Sequence, residues 1–153
     1  MQLRKLLCAV DFSDHSRAAM EFACELAARA RTPLVLVYVW QPPVWVTANP
    51  AAGLGTAIQD VIDADQSSLD TWVADARQAG VPDVSSRFLQ GTPWASIVDE
   101  AKRDPEIDLI VIGTHGRTGI KAALLGSVAE KVVRHAPCRV LVTRERGEQP
   151  ACA

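Results

Sequence analysis

The sequence predicts a single α/β domain built on a parallel β-sheet that helices cover. Three observations carry this prediction. Short β-branched apolar runs alternate with stretches of helical period over most of the chain. Several runs are nearly continuous in Val, Ile and Leu, as in LVLVYV (34–39) and LIVIG (109–113), which is how strands buried on both faces read. A chain of 153 residues, 48% hydrophobic, is long enough to close one sizeable core.

The strands are expected at Leu3–Val10, Pro33–Trp40, Val84–Gln90, Asp108–Gly113 and Cys138–Thr143. A first helix follows Ser13 and Asp14, with Ala19, Phe22, Ala23, Leu26 and Ala30 forming its apolar stripe. Ile58, Val61, Ile62, Leu69, Trp72, Val73 and Ala76 outline a second, with Asp65 as its polar break and Gly80 as its end before Pro82. The third opens on Thr92–Pro93, a cap followed by proline at the first helical position, and turns Ile97, Val98 and Ala101 inward. A fourth starts at Ser127 and carries Val128, Val132 and Val133, with Ser127 and Glu130 spaced as a capping box. The order is βαβαβαβαβ without internal repeats, and crossovers between parallel strands should be right-handed. Residues 41–55, QPPVWVTANPAAGLG, are too rich in proline and glycine for regular structure throughout. Val44, Trp45 and Val46 within them could cover a sheet edge, close over a ligand or face a partner.

Charge excludes several functions. Sixteen Lys and Arg against 18 Asp and Glu leave no electrostatic footprint for duplex DNA or an anionic membrane. No apolar run approaches the ~20 residues of a membrane span, and Asp11 interrupts MQLRKLLCAV before it reaches the length of an export core. Cys8, Cys24, Cys138 and Cys152 show no paired spacing, and Cys8 and Cys138 lie in apolar runs as small hydrophobes. A reduced, cytoplasmic setting is the expectation.

The chemistry concentrates in GTHGRTGIKAALLGS (113–127), which leaves one strand and enters a helix. Glycines allow close backbone approach and positive φ. The free amides and dipole of a helix's first turn favour an anion, and Arg117 and Lys121 add mobile cations. The loop lacks the Gly-Lys-Ser/Thr ending of a Walker loop, and Gly113, Gly116 and Gly119 are evenly spaced, unlike G-x-G-x-x-G. On physical grounds alone the residues point to a phosphate site and to nothing more specific.

Gly113-x-x-Gly116, nine residues, then Gly126-Ser127 resembles the G-2x-G-9x-G-(S/T) signature of ATP-binding universal stress proteins. The similarity runs on through SVAEKVVRHAPCRVLVTR to Arg144, and AVDFSDHSRAAMEFA (9–23) is similar to the family's opening strand and turn. Arg139 stands where members often have proline, and Ala9 replaces a proline of some nucleotide-binding members. The resemblance implies a domain over 1–145 with a flexible tail at 146–153. It implies an open five-stranded parallel sheet in the order 3-2-1-4-5 with helices on both faces, Rossmann-like and of the adenine nucleotide alpha hydrolase type. In that order strands 1 and 4 are neighbours at a switch point, where ligands of open α/β sheets bind. By the same resemblance Gly113, Gly116, Arg117, Gly126, Ser127 and Val128 would surround phosphates and ribose. Asp11 would contact the adenosine portion, and Val10 and Val39 would line the base pocket, partly through backbone. ATP or AMP is the implied ligand, with Mg²⁺ riding on the phosphates rather than in a protein cage. The implied assembly is a homodimer through the last strand.

Plainer readings stand beside these. Asp11 could hold loop amides or cap the first helix, a role compatible with ligand contact. Ser127 is attractive as an N-cap, so its amide rather than its hydroxyl would meet phosphate. Gly119 reads as a turn, His115 as solvent-exposed without companion ligands, and His15 and His135 as solvent-facing. Trp72 and Trp94 read as packing. Asp11 and Asp14 have no evident base partner, and no Ser–His–Asp or Cys–His set can be assembled, so no catalytic residue is expected. A nucleotide-binding regulatory module is the leading function, with a slow ATP hydrolase and a nucleotide-free structural stress protein as alternatives.

Overall fold

The structure, a computed structural model, describes residues 3–43, 55–114 and 125–144. Strands and helices alternate as β1 (Lys5–Val10), α1 (Asp14–Ala30), β2 (Leu34–Trp40), α2 (Gly55–Gln78), β3 (Val84–Gln90), α3 (Pro93–Arg103), β4 (Ile107–Gly113), α4 (Ser127–His135) and β5 (Arg139–Thr143). The five strands form one sheet in the order β3-β2-β1-β4-β5, and every pairing is parallel. This is the architecture and strand order expected.

Apolar strands read as continuous runs because both faces are covered. Leu6, Cys8, Leu34 and Leu36 point into a core shared with α1 and α2, whereas Leu7, Val35, Val37 and Ile110 point into one shared with α3 and α4. Each fully buried Leu or Ile contributes about 1.5–3 kcal/mol, so the two cores flanking β1 and β4 fix the centre of the sheet rigidly.

The stripe of α1 differs from expectation. Its buried residues are Ser16, Ala19, Met20, Ala23, Cys24 and Ala27, while Phe22 is exposed. Alanines four residues apart let the helix axis approach the sheet, and the bulkier Phe22 falls outside that narrow seam. Val61 and Val133, expected inside, are likewise exposed. Asp65, the polar break in α2, accepts a hydrogen bond from the Tyr38 hydroxyl, which explains why an acid is tolerated on that face.

Helix ends follow local chemistry. Gly80, at φ +88°, ends the turn after α2, a conformation that suits glycine. Thr92 is the N-cap of α3 with Pro93 behind it, although its side chain makes no capping hydrogen bond. The expected capping box of α4 is not formed. Gly126 is the N-cap and Ser127 the first helical residue, so Ser127 is too far along to cap, and Glu130 pairs with Arg134 at 2.9 Å instead.

Candidate functional site at the carboxyl ends of β1 and β4

The strand order places β1 beside β4, with the connection from β1 leaving toward the α1/α2 face and that from β4 toward the α3/α4 face. Between such divergent connections a crevice opens at the carboxyl ends of the strands.

One wall is the turn Asp11–Ser16. Ser13 is the N-cap of α1, and its hydroxyl accepts from the Ser16 amide. The Asp11 carboxylate accepts from both the Ser13 amide, at 3.1 Å, and the Ser13 hydroxyl, at 2.5 Å. The Asp11 amide donates to the Ser16 hydroxyl at 3.2 Å. Asp11 is therefore not the cap itself but the group that orients the cap. Between them Phe12 sits at φ +64°, left-handed backbone that costs a bulky residue about 1–3 kcal/mol. Its ring lies stacked on Tyr38 at 4.7 Å and edge-on to Trp72 at 5.4 Å. Arg17 covers the Trp72 ring at 4.1 Å and pairs with Asp75 at 2.8 Å.

The other wall is the end of β4. Gly113 is pressed against the first turn of α1: a Cβ at this position would lie 2.8 Å from the His15 carbonyl oxygen. Thr114 is the junction that follows. Its amide donates to the Thr143 carbonyl at 2.9 Å, and its carbonyl accepts from the Gly126 amide at 2.7 Å. The second bond brings the start of α4 to the end of β4. Thr114 is only 4% exposed, and its hydroxyl has no hydrogen-bond partner among the described residues.

The first amides of a helix have no intrahelical acceptor, and the aligned peptide dipoles leave about half a positive charge there. Ser127 and Val128 are the residues that present such amides, at the mouth of the crevice. Glu130, the acid of this first turn, is held by Arg134, which moderates its repulsion toward an anion. Phosphate chemistry fits this wall: helix amides, a glycine at the N-cap, and a buried hydroxyl that still has hydrogen-bonding capacity. Among the described residues no three of His, Cys, Asp and Glu gather to hold a metal ion. At the three described cysteines thiol chemistry is disfavoured as well, since burial pushes Cys8 and Cys138 upward and Cys24 up to about 11, away from the reactive thiolate.

The structure brings Asp11, Gly113, Gly126, Ser127 and Val128 to this end of the sheet. Val10 ends β1 and Val39 lies one residue before the end of β2, yet they face opposite ways. Val10 belongs to the α1/α2 core and Val39 packs on the α3/α4 side, so Val10 can offer a ligand only its backbone. Gly116 and Arg117, together with His115, Gly119, Lys121, Val44–Val46 and the tail 146–153, lie outside the described residues. His135 is exposed and rests beside Trp94, ring centroids 5.2 Å apart. His15, expected to face solvent, is half-buried because its turn packs on Gly113. Sequence reasoning missed Phe12, Ser16 and Thr114. Only the SxxS spacing of Ser13 and Ser16 could have flagged any of them as a turn network.

A parallel, switch-point α/β fold with a helix N-terminus at its crevice defines a structural class whose ligands bind outside the carboxyl ends of the strands. Within that class the assignment is specific. The model of the universal stress protein family matches residues 2–144. A universal stress protein of Methanocaldococcus jannaschii is 34% identical over 143 residues, covering 93% of this chain and 82% of that protein. The universal stress protein UspA from Lactobacillus plantarum superposes with a TM-score of 0.81 at 30% identity, covering 94% of this chain and 99% of that one. The universal stress protein from Archaeoglobus fulgidus in complex with dAMP gives 0.65 at 26% identity, covering 93% and 98%. A universal stress protein in complex with cAMP gives 0.67 at 25% identity, covering 94% and 98%. The chain belongs to the universal stress protein family.

Proposed function

We propose that this chain binds an adenine nucleotide, ATP with Mg²⁺ or AMP, in the crevice between β1 and β4, and acts as a regulatory module in the stress response rather than as a fast enzyme. The observation that carries this reading is the 2.7 Å bond from the Gly126 amide to the Thr114 carbonyl, which sets the amides of α4 beside the end of β4. Phosphate would be held by Gly113, Gly116, Arg117, Gly126, Ser127 and Val128, the adenosine portion by Asp11, and the base by Val39 and the Val10 backbone. Relatives crystallised with dAMP and cAMP support the adenine nucleotide class. Gly113 has a second duty in this scheme, since its lack of a side chain is what admits the α1 turn. A divalent ion would take its oxygens chiefly from the phosphates.

Asp11 commits its carboxylate to Ser13, which argues against its use as a general base and for slow turnover at most. A homodimer through β5 fits an edge strand that pairs with β4 on one side and with no further strand among the described residues. The cytoplasm, with 1–145 as the folded unit and 146–153 as a tail, is the corresponding setting.

Mass spectrometry of ligand released from the purified protein, together with calorimetric titration by ATP–Mg²⁺ and AMP, tests the reading. Release of an adenine nucleotide, or saturable binding of one, is expected. A protein that carries none and takes up none would be the nucleotide-free alternative.

A further inference from the structure

We infer that Phe12 is a positioning residue of the nucleotide site: its ring, clamped by Tyr38 and Trp72, holds the backbone turn that aims the Asp11 carboxylate. The inference rests on the nucleotide reading given above and adds a device to it.

Phe12 is one of two non-glycine residues with positive φ among the described residues. The other, Arg31, closes the end of α1, where a left-handed residue is an ordinary terminator. Phe12 has no such excuse. It lies between the last residues of β1 and the cap of α1, directly after the acid assigned to the ligand. A strained backbone persists only where its surroundings over-determine it, and here they do so from two sides. The polar side is the Asp11–Ser13–Ser16 network, in which both the Asp11 carboxylate and the Asp11 amide are engaged. The apolar side is the ring contact with Tyr38 at 4.7 Å and Trp72 at 5.4 Å. Tyr38 is fixed in turn, opposite Val10 in the β1–β2 register and tied to Asp65 of α2 through its hydroxyl. The aromatic contacts thus anchor the turn to β2 and α2. Removing the ring takes away the apolar half of this support, and several turn conformations become accessible.

Calorimetry with ATP–Mg²⁺ on the full chain tests this through a double-mutant cycle of Phe12→Gly and Asp11→Ala. Glycine tolerates the positive φ, so the substitution removes the clamp without adding strain. Phe12→Gly is expected to weaken binding about fivefold, and Asp11→Ala by a similar factor, the order of one hydrogen bond. The double variant should bind no more weakly than the poorer single one, because residues acting through one another are not additive. Should Phe12→Gly fail to fold by circular dichroism, Tyr38→Leu, which removes the stacking face, takes its place with the same expectation. Penalties that multiply, or a Phe12 variant that binds like wild type, overturn the inference alone. Asp11→Ala that binds like wild type overturns the role of Asp11 and the inference with it.

Discussion

Gly113 and His15 meet so closely that position 113 has no room for a side chain: a methyl group there would lie 2.8 Å from the His15 carbonyl oxygen. Because the obstacle is backbone at the first turn of α1, it cannot swing aside as a side-chain tip would. Gly113→Ala is expected to lower stability by about 1–3 kcal/mol through overpacking. Urea denaturation reads this directly, and an unchanged midpoint would show that the α1 turn yields freely.

Gly126 presents the opposite case. At φ −59° and ψ 148° its backbone suits any residue, and an acid at an N-cap is favourable to the helix. Gly126→Asp should therefore keep thermal stability at or slightly above wild type. The added charge would face incoming phosphate, so nucleotide affinity should fall at least about tenfold. Undiminished affinity in a folded variant would remove α4 from the phosphate site.

The hydroxyl of Thr114 is buried and has no partner among the described residues. Thr114→Val keeps the shape and discards the unsatisfied group, so stability should rise by about 1 kcal/mol. A loss of that size in a chemical melt would mean that the hydroxyl is already satisfied in solution.

Lys5 and Asp104 make a pH signature at the far end of the sheet. The hydrogen bond from the Lys5 ammonium, 2.7 Å long, holds the Asp104 carboxyl below its ordinary range. A carboxyl lowered by folding stabilises the native state above its unfolded value of about 4, and this contribution fades as pH falls below that point. Lys5 is raised by the same bond, so its share persists at neutral pH and is lost only in strong alkali. Asp104→Asn should flatten the acid limb of a stability–pH profile between about pH 5 and 3. An identical acid limb in the variant would mean that the pair contributes nothing there.

Much of the fold was legible because strands announce themselves locally. β3 falls at Val84–Gln90 as expected, and the other strands begin within two residues of their expected starts. Continuous runs of Val, Ile and Leu carry their own burial signal. What local sequence hides is partnership at a distance. Asp65 reads as a flaw in a stripe until Tyr38 stands opposite it. Gly113 reads as a phosphate glycine, whereas the packing of His15 against it depends on how α1 sits over β4. Ser127 carries the right residue type for a cap, but the chain enters α4 one position earlier, because the Gly126 amide is taken by Thr114. Nothing in the identity of Phe12 signals positive φ; only the rings around it do.

The neighbouring placement of β1 and β4 unites the turn after β1 with the entry to α4, two segments far apart along the chain. A nascent chain still missing α4 owns one jaw of the vice and not the other. A small molecule gripped there would consequently add to the stability only of chains in which both segments have folded together.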